Sequence, residues 1–359
     1  MNWRRMPVML FACAGVTLLG AMSVHAQTPS PVLLVLEKGT NTLTFVDPAT
    51  LQVVGRAPSG PDPHEVVASA DGKLAYISNY GSDGGDLNTI SVVDIATEKA
   101  LAPIDLGVLH SPHGLDFAGG KLYFTAGTNK AIGRYDPATQ RVDWVLGIGQ
   151  ERTHMIDVSK DLDRIITSNP NSGTISIIEL MGPPRGNFTP PPGAPPPPHN
   201  LWRITNIPTG RGVEGFDISP DGQELWAANT LDGTISIIDL ASKKVIATFP
   251  NPVRRANRLK ITRDGRYAII SGGSPPPGTS ASPDDVDVAI MDVHARTVVK
   301  TLALNGGSEG ILLQPDGTRA FVAVNQDNRV IAIDLATLAV TGQITGLKLP
   351  DGMAWAAKD

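Results

Sequence analysis

One short phrase recurs along the chain and limits what it can fold into. It reads Phe45-Val46-Asp47-Pro48-Ala49-Thr50, Val92-Val93-Asp94-Ile95-Ala96-Thr97, Arg134-Tyr135-Asp136-Pro137-Ala138-Thr139, Ile237-Ile238-Asp239-Leu240-Ala241-Ser242 and Ala332-Ile333-Asp334-Leu335-Ala336-Thr337. Shorter versions stand at Ile177-Ile178-Glu179-Leu180 and Ile290-Met291-Asp292-Val293. The base interval is close to 42 residues. Self-similarity at that period, built from short strands, marks a radial array of four-stranded sheets. The acid and the Thr suit a tight turn, because each side chain can bond backbone amides two residues on.

A second turn precedes the first in each unit: Ala70-Asp71-Gly72, Ser219-Pro220-Asp221-Gly222, Arg263-Asp264-Gly265 and Gln314-Pro315-Asp316-Gly317. Gly supplies the positive φ that this turn needs. β-rich runs follow (Leu74 to Asn79, Leu225 to Asn229, Ala320 to Asn325), then runs such as Thr234-Ile235-Ser236-Ile237-Ile238. Each unit therefore reads strand A, Asp-Gly turn, strand B, Asn-rich loop, strand C, Asp-x-Ala-Thr turn, strand D. Strand A is expected to begin near Pro63, Pro112, Thr153, Val213, Ala256, Ser308 and Pro350. The fold class predicted is all-β: a seven-bladed β-propeller of four-stranded antiparallel blades. The first repeat opens on a strand B (Val32 to Leu36) and the last strand A is Asp351 to Ala357. Pairing that strand with the N-terminal blade would close the ring and remove free sheet edges.

Asn88-Thr89-Ile90-Ser91-Val92-Val93-Asp94, Tyr76-Ile77-Ser78-Asn79 and the Ser-Pro-Asp-Gly turn resemble the YVTN-repeat β-propellers. These are exported bacterial and archaeal proteins, similar also to the propellers of lactonases, nitrous oxide reductase and cytochrome d1. The resemblance covers residues 31 to 357. It implies fold more than function, because propellers host many activities.

Residues 1–26 read as a cleaved signal peptide. Arg4 and Arg5 precede an apolar run over 7 to 22, and Val24-His25-Ala26 fits a cleavage site. The expected location is periplasmic or secreted, with residues 27–359 as a single propeller, no transmembrane anchor after cleavage, and a monomeric state. Net charge is −5 for the whole chain, and removal of Arg4 and Arg5 makes it −7. That balance argues against a general nucleic-acid binder, which needs a basic face, and leaves DNA binding only through a local basic patch such as the Arg cluster named below. Cys13 is the only cysteine. The cleaved form would therefore hold no disulfide and no c-type haem attachment. No phosphate-cradling Gly loop opens a helix, so no nucleotide cofactor is expected, and no Gly-x-Ser-x-Gly elbow is present.

Alignment of the seven A strands places one polar residue at the same position each time: His64, His113, His154, Glu214, Asn257, Glu309 and Asp351. Inner strands line the axial channel, so these residues would form a ring at its mouth. Gly114, Gly215, Gly310 and Gly352 follow four of them and permit close backbone approach. His64, His113, His154, Glu214, Glu309 and Asp351 are candidate ligands for one divalent metal ion (Zn, Mn, Fe, Cu or Ca). Asp83 and Asp86 in the Gly-rich stretch 80 to 88 are a weaker Ca candidate. Arg152, Arg211, Arg254, Arg255 and Arg258 fall at or just before the ring, so Arg152, Arg211, Arg255, Arg258 and Asn257 are candidate contacts for an anion.

Two functions follow. One is a binding propeller that takes a small anionic molecule or a periplasmic protein at its channel face. The other is a metal-assisted, lactonase-like hydrolase or lyase that uses the His and acid ring. Insertions at 80–88 and 273–285, between strands B and C, are expected to rim the mouth. The Pro-rich insertion at 181–203, between C and D, is expected on the opposite face as extended polyproline.

Overall fold

The computed structural model describes residues 31–81, 86–182, 201–272, 285–304 and 306–357, together with Met1. Residues 2–30, where the signal peptide was expected, Asp83, residues 183–200 of the Pro-rich insertion and residues 273–284 lie outside the described residues. The described chain contains no helix, and therefore none long and apolar enough to cross a membrane.

The strands form seven antiparallel sheets, each a consecutive meander of four strands. Blade 5 shows the plan: A is Val213–Ile218, B Glu224–Asn229, C Thr234–Asp239 and D Lys244–Pro250. In blade 1, strands B, C and D are Val32–Glu37, Thr42–Asp47 and Gln52–Pro58. Its A strand is Pro350–Ala356, which pairs with Val32–Glu37 in the register Leu34↔Ala354. The ring is thus closed by the two ends of the chain, as the repeat order implies. Blade 2 departs from the plan, because Pro103 has no N–H to give. Its D strand is split into Lys99–Ala100 and Ile104–Asp105, both paired to strand C (Thr89–Asp94).

In blade 5 strands B and C are buried on both faces, whereas strand D alternates exposed and half-buried residues. This explains the composition: B and C are runs of Ile, Val and Ala, and D carries the period-two pattern. Apolar side chains gather in seven clusters among the described residues, one per blade interface. Trp226, Ile235 and Ile237 of blade 5 meet Leu259, Ile270 and Met291 of blade 6. Leu33, Val35 and Val46 of blade 1 meet Phe321, Val330 and Ile344 of blade 7, so the closing interface is packed like the others.

The turns do what their side chains allow. Asp334 Oδ1 accepts bonds from Thr337 N at 2.8 Å and Thr337 Oγ1 at 2.7 Å. Asp221 Oδ1 accepts from Ser219 Oγ at 2.6 Å and Gln223 N at 3.0 Å, and Gly222 has φ 71°.

Strand A carries a feature that the repeat did not announce. In blade 2 the ladder steps from Pro63↔Asn79 to Val66↔Ile77, so His64 and Glu65 together face the single residue Ser78. The same two-against-one bulge holds His113-Gly114 against Thr125, Glu214-Gly215 against Ala228 and Asp351-Gly352 against Leu36. In blade 4, His154 N bonds Ser168 O and Ser168 N bonds Met155 O; blade 7 repeats this with Glu309, Gly310 and Ala323. A bulge twists the strand and re-aims one side chain, here the ring residue. It also explains why the regular A strands of blades 4, 6 and 7 begin at Ile156, Arg258 and Ile311, two or three residues later than expected. The glycines that follow serve the predicted close approach: a Cβ on Gly310 would lie 2.3 Å from Asp351 O, and one on Gly352 2.3 Å from His64 O.

Candidate ligand site at the channel mouth

All seven ring residues line one cavity of about 370 Å³ where the A strands converge. Arg152, Arg255 and Arg258 line it as well, with Lys38, Thr230, Asn325 and Leu349. Arg211 does not: it is exposed and turned back onto Asp232, with Nε 2.7 Å from Oδ1. Arg254 is likewise drawn away, by Asp285 at 2.6 Å. Asp86 ties its loop to blade 3, accepting from Ser111 Oγ at 3.2 Å.

The imidazoles of blades 2, 3 and 4 lie next to one another, tilted. His113 and His154 lie 3.5 Å apart between ring centroids at a 30° tilt, and His64 is 5.0 Å from His113. Tyr80 covers all three, at 5.0, 5.1 and 5.9 Å from His64, His113 and His154. Its hydroxyl accepts from Arg152 Nε at 3.3 Å.

Polar partners tie the rest together. His154 Nε2 donates to Glu214 Oε1 at 3.0 Å, the tautomer this carboxylate selects. Lys38 Nζ donates to His64 Nε2 at 2.9 Å and lies 3.6 Å from Asp351 Oδ2. Glu309 accepts from the amides of Asn257 and Asn325. Arg258 crosses the channel, with NH2 2.9 Å from Glu65 Oε1 of blade 2 and NH1 3.3 Å from Glu214 Oε1 of blade 5. It closes the floor of the cavity.

Burial, helped by the neighbouring imidazoles and by Arg258 and Arg152, holds His113 well below the usual histidine range. Burial also brings His154 down to about 4, although Glu214 pulls the other way. Burial works against an ionised Glu214, but His154 and Arg258 outweigh it and keep the carboxyl below its ordinary value. Glu309 is raised by burial and by Asp351, and Glu65 by burial despite Arg258.

His113 and His154 are therefore neutral at pH 7. Their folded proton affinity is below the unfolded one, so the stability they contribute is present above pH 6.5 and is lost as pH falls toward 4. Asp116, which accepts from Val158 N at 2.7 Å and is raised to about 6 by burial, runs oppositely: its contribution is present below pH 4 and lost as pH rises through 6. The imidazole NMR resonances of His113 and His154 are expected to keep neutral-form shifts as pH is lowered from 8 to 5. Titration of either near 6.5 would contradict this electrostatic picture.

The donor set does not fit a metal as it stands. Among the described residues, no three His, Cys, Asp or Glu side chains are grouped to hold an ion. His154 Nε2 and His64 Nε2 are also taken, and four cationic side chains share the cavity.

Sequence reasoning missed Lys38, Tyr80, Thr230 and Asn325 as parts of the site. All four follow directly on the end of a strand B, so one column of the repeat carries them. It also missed that the residue two before each ring position has positive φ in every blade: Asp62, Ser111, Arg152, Gly212, Arg255, Gly307 and Leu349. That bend brings Arg152, Arg255 and Leu349 to the lip. By contrast, Asn79, Asn169 and Asn229 are buried caps, bonded to Thr and Ser of strand C or its first residue.

No family model matches the chain. A stretch of 134 residues is 29% identical to an uncharacterised WD repeat-containing protein of Synechocystis. The match spans 36% of this chain and 34% of that relative, about a third of its length. A functionally unknown protein from Desulfotomaculum acetoxidans superposes with a TM-score of 0.69 at 14% identity, over 92% of this chain and 100% of the other. A putative 6-phosphogluconolactonase from Bacteroides fragilis gives 0.66 at 16% identity, over 92% and 99%. The dihydro-heme d1 dehydrogenase NirN gives 0.59 at 14% identity, over 93% and 77%. At these identities the likeness is one of fold, and the chain is a seven-bladed β-propeller.

Proposed function

We propose that this chain is an exported propeller of YVTN type that binds a small organic anion at its channel mouth. One observation carries the reading. Arg152 and Arg255 stand at the lip of a cavity on an acidic protein, and among the described residues neither makes an ion pair. The other charges are engaged: Arg258 with Glu65 and Glu214, and Lys38 with Asp351. Guanidinium groups left unpaired in a partly enclosed site favour a carboxylate or phosphate. The lowered His113 and His154 support binding over acid–base catalysis, because a general base working near pH 7 needs a pKa close to 7. A metal-assisted hydrolase would need the His and acid side chains regrouped around an ion.

Calorimetric titration with short mono- and dicarboxylates and inorganic phosphate tests this. The expected result is saturable binding, weakened about tenfold or more in Arg152→Ala and Arg255→Ala, the scale of one charge-assisted hydrogen bond. Unaltered affinity in both variants would refute the assignment. Stoichiometric metal in the purified protein, lost in His113→Ala, would favour the metal-assisted reading instead.

A further inference from the structure

We infer that Tyr80 is a positioning residue of the anion site. It fixes the Arg152 guanidinium through Nε and leaves the edge between the two terminal nitrogens to receive the ligand end-on. The inference rests on the anion-binding reading and adds the residue that orients its anchor.

Tyr80 follows directly on strand B of blade 2, Leu74–Asn79. Its backbone is pinned to Asp62: Tyr80 N donates to Asp62 O at 3.1 Å, and Gly81 N donates to Asp62 Oδ2 at 2.9 Å. Its ring meets the imidazoles of His64, His113 and His154 edge-on, at interplanar angles of 63°, 88° and 69°. Contacts with rings from three blades hold the phenol in one orientation. The hydroxyl at its end reaches blade 4, where Arg152 Nε donates to it at 3.3 Å. Arg152 lines the cavity and Tyr80 does not, so Tyr80 acts through Arg152 rather than on the ligand.

The point of attachment matters because a guanidinium has two kinds of edge that fit a carboxylate. One pairs Nε with a terminal nitrogen, and the other pairs the two terminal nitrogens. Tyr80 occupies Nε, which blocks the first. Among the described residues the terminal nitrogens of Arg152 make no hydrogen bond, so the second stays open. Arg211 shows what happens without such a hold: its Nε is taken by Asp232, and the side chain is lost to the cavity. Arg255 lines the cavity but is exposed, and no described side chain fixes it. A half-buried arginine that is oriented before the ligand arrives loses less freedom on binding. Arg152 is therefore the preorganised anchor, and Arg255 supplies a second charge.

Double-mutant cycles read by calorimetry test this, with acetate, succinate and inorganic phosphate as probes. Tyr80→Phe keeps the ring and removes only the hydroxyl, and its melting curve reports folding independently. It is expected to weaken binding about fivefold, the scale of one neutral hydrogen bond. In an Arg152→Ala background the same substitution should change affinity by less than about twofold, whereas in Arg255→Ala its full effect should persist. A hydroxyl that merely supported the fold would cost the same in every background. Unchanged affinity in Tyr80→Phe, or an undiminished loss in the Arg152→Ala background, would overturn the role of Tyr80 and leave the anion reading standing. Failure of all the probes to bind the parent would overturn both.

Discussion

Deletion of residues 350–359 is expected to leave a chain that neither melts cooperatively nor stays soluble. The strand it removes, Pro350–Ala356, is inner strand A of blade 1 and one half of the ring closure. Its loss strips the partner from Val32–Glu37, an apolar strand buried along its whole length, and turns it into an open edge. Such an edge is a template for aggregation. It also removes Met353 and Trp355 from the interface with blade 7, and the bond from Trp355 Nε1 to Leu313 O at 2.8 Å. The loss is comparable with the whole net stability of a domain, roughly 5–15 kcal/mol. Circular dichroism during heating, with sedimentation of the expressed chain, reads the outcome. A soluble product that melts within a few degrees of the parent would show that the ring does not depend on this closure.

The second large effect is expected at Arg258. Arg258 is 8% exposed, and its guanidinium joins blade 6 to blades 2 and 5 through Glu65 and Glu214. Substitution by Ala leaves two buried carboxylates without their cation. Breaking a buried pair from one side costs about 3–5 kcal/mol, more than the pair itself contributes. The deficit has a pH signature. Without the guanidinium both carboxyls titrate higher in the folded state, so the variant recovers stability as they protonate. The gap to the parent is therefore widest above pH 7 and narrows toward pH 5. Urea unfolding at pH 7.5 and pH 5 measures it. A gap below about 1 kcal/mol, or one that does not change with pH, would mean the channel floor is held by something else.

Arg258 also shows where legibility in the sequence ends. It sits next to a ring residue, and its row in the repeat could be read. Its partner Glu65 is 193 residues away across the axis. No periodic pattern encodes a contact through the centre of a ring, because the period describes neighbours around it. The ring itself was legible for the opposite reason: each member stands at a fixed offset from an Asp turn, and the Gly after Glu214, Glu309 and Asp351 marks the close approach. Arg211 misled because its offset matched the crossing while its side chain met Asp232 first. Lys38 and Tyr80 were missed because the column after strand B changes chemistry at every blade: Lys38, Tyr80, Gly127, Pro170, Thr230, Gly272 and Asn325. A repeat betrays its scaffold by what stays constant, whereas these functional side chains lie where it varies. The αL bend before each ring residue was hidden in the same way, since Arg152, Arg255 and Leu349 are not residues that announce a positive φ.

The central claim is that radial geometry gathers side chains from seven distant segments into one anion site. The most direct measurement is a crystal of the protein soaked in bromide, with data collected at the bromine absorption edge. An anomalous peak is expected at the channel mouth, within hydrogen-bond reach of the Arg152 or Arg255 guanidinium. Bromide found only elsewhere on the surface, or a metal-edge peak coordinated by His64, His113 and His154 in its place, would contradict it.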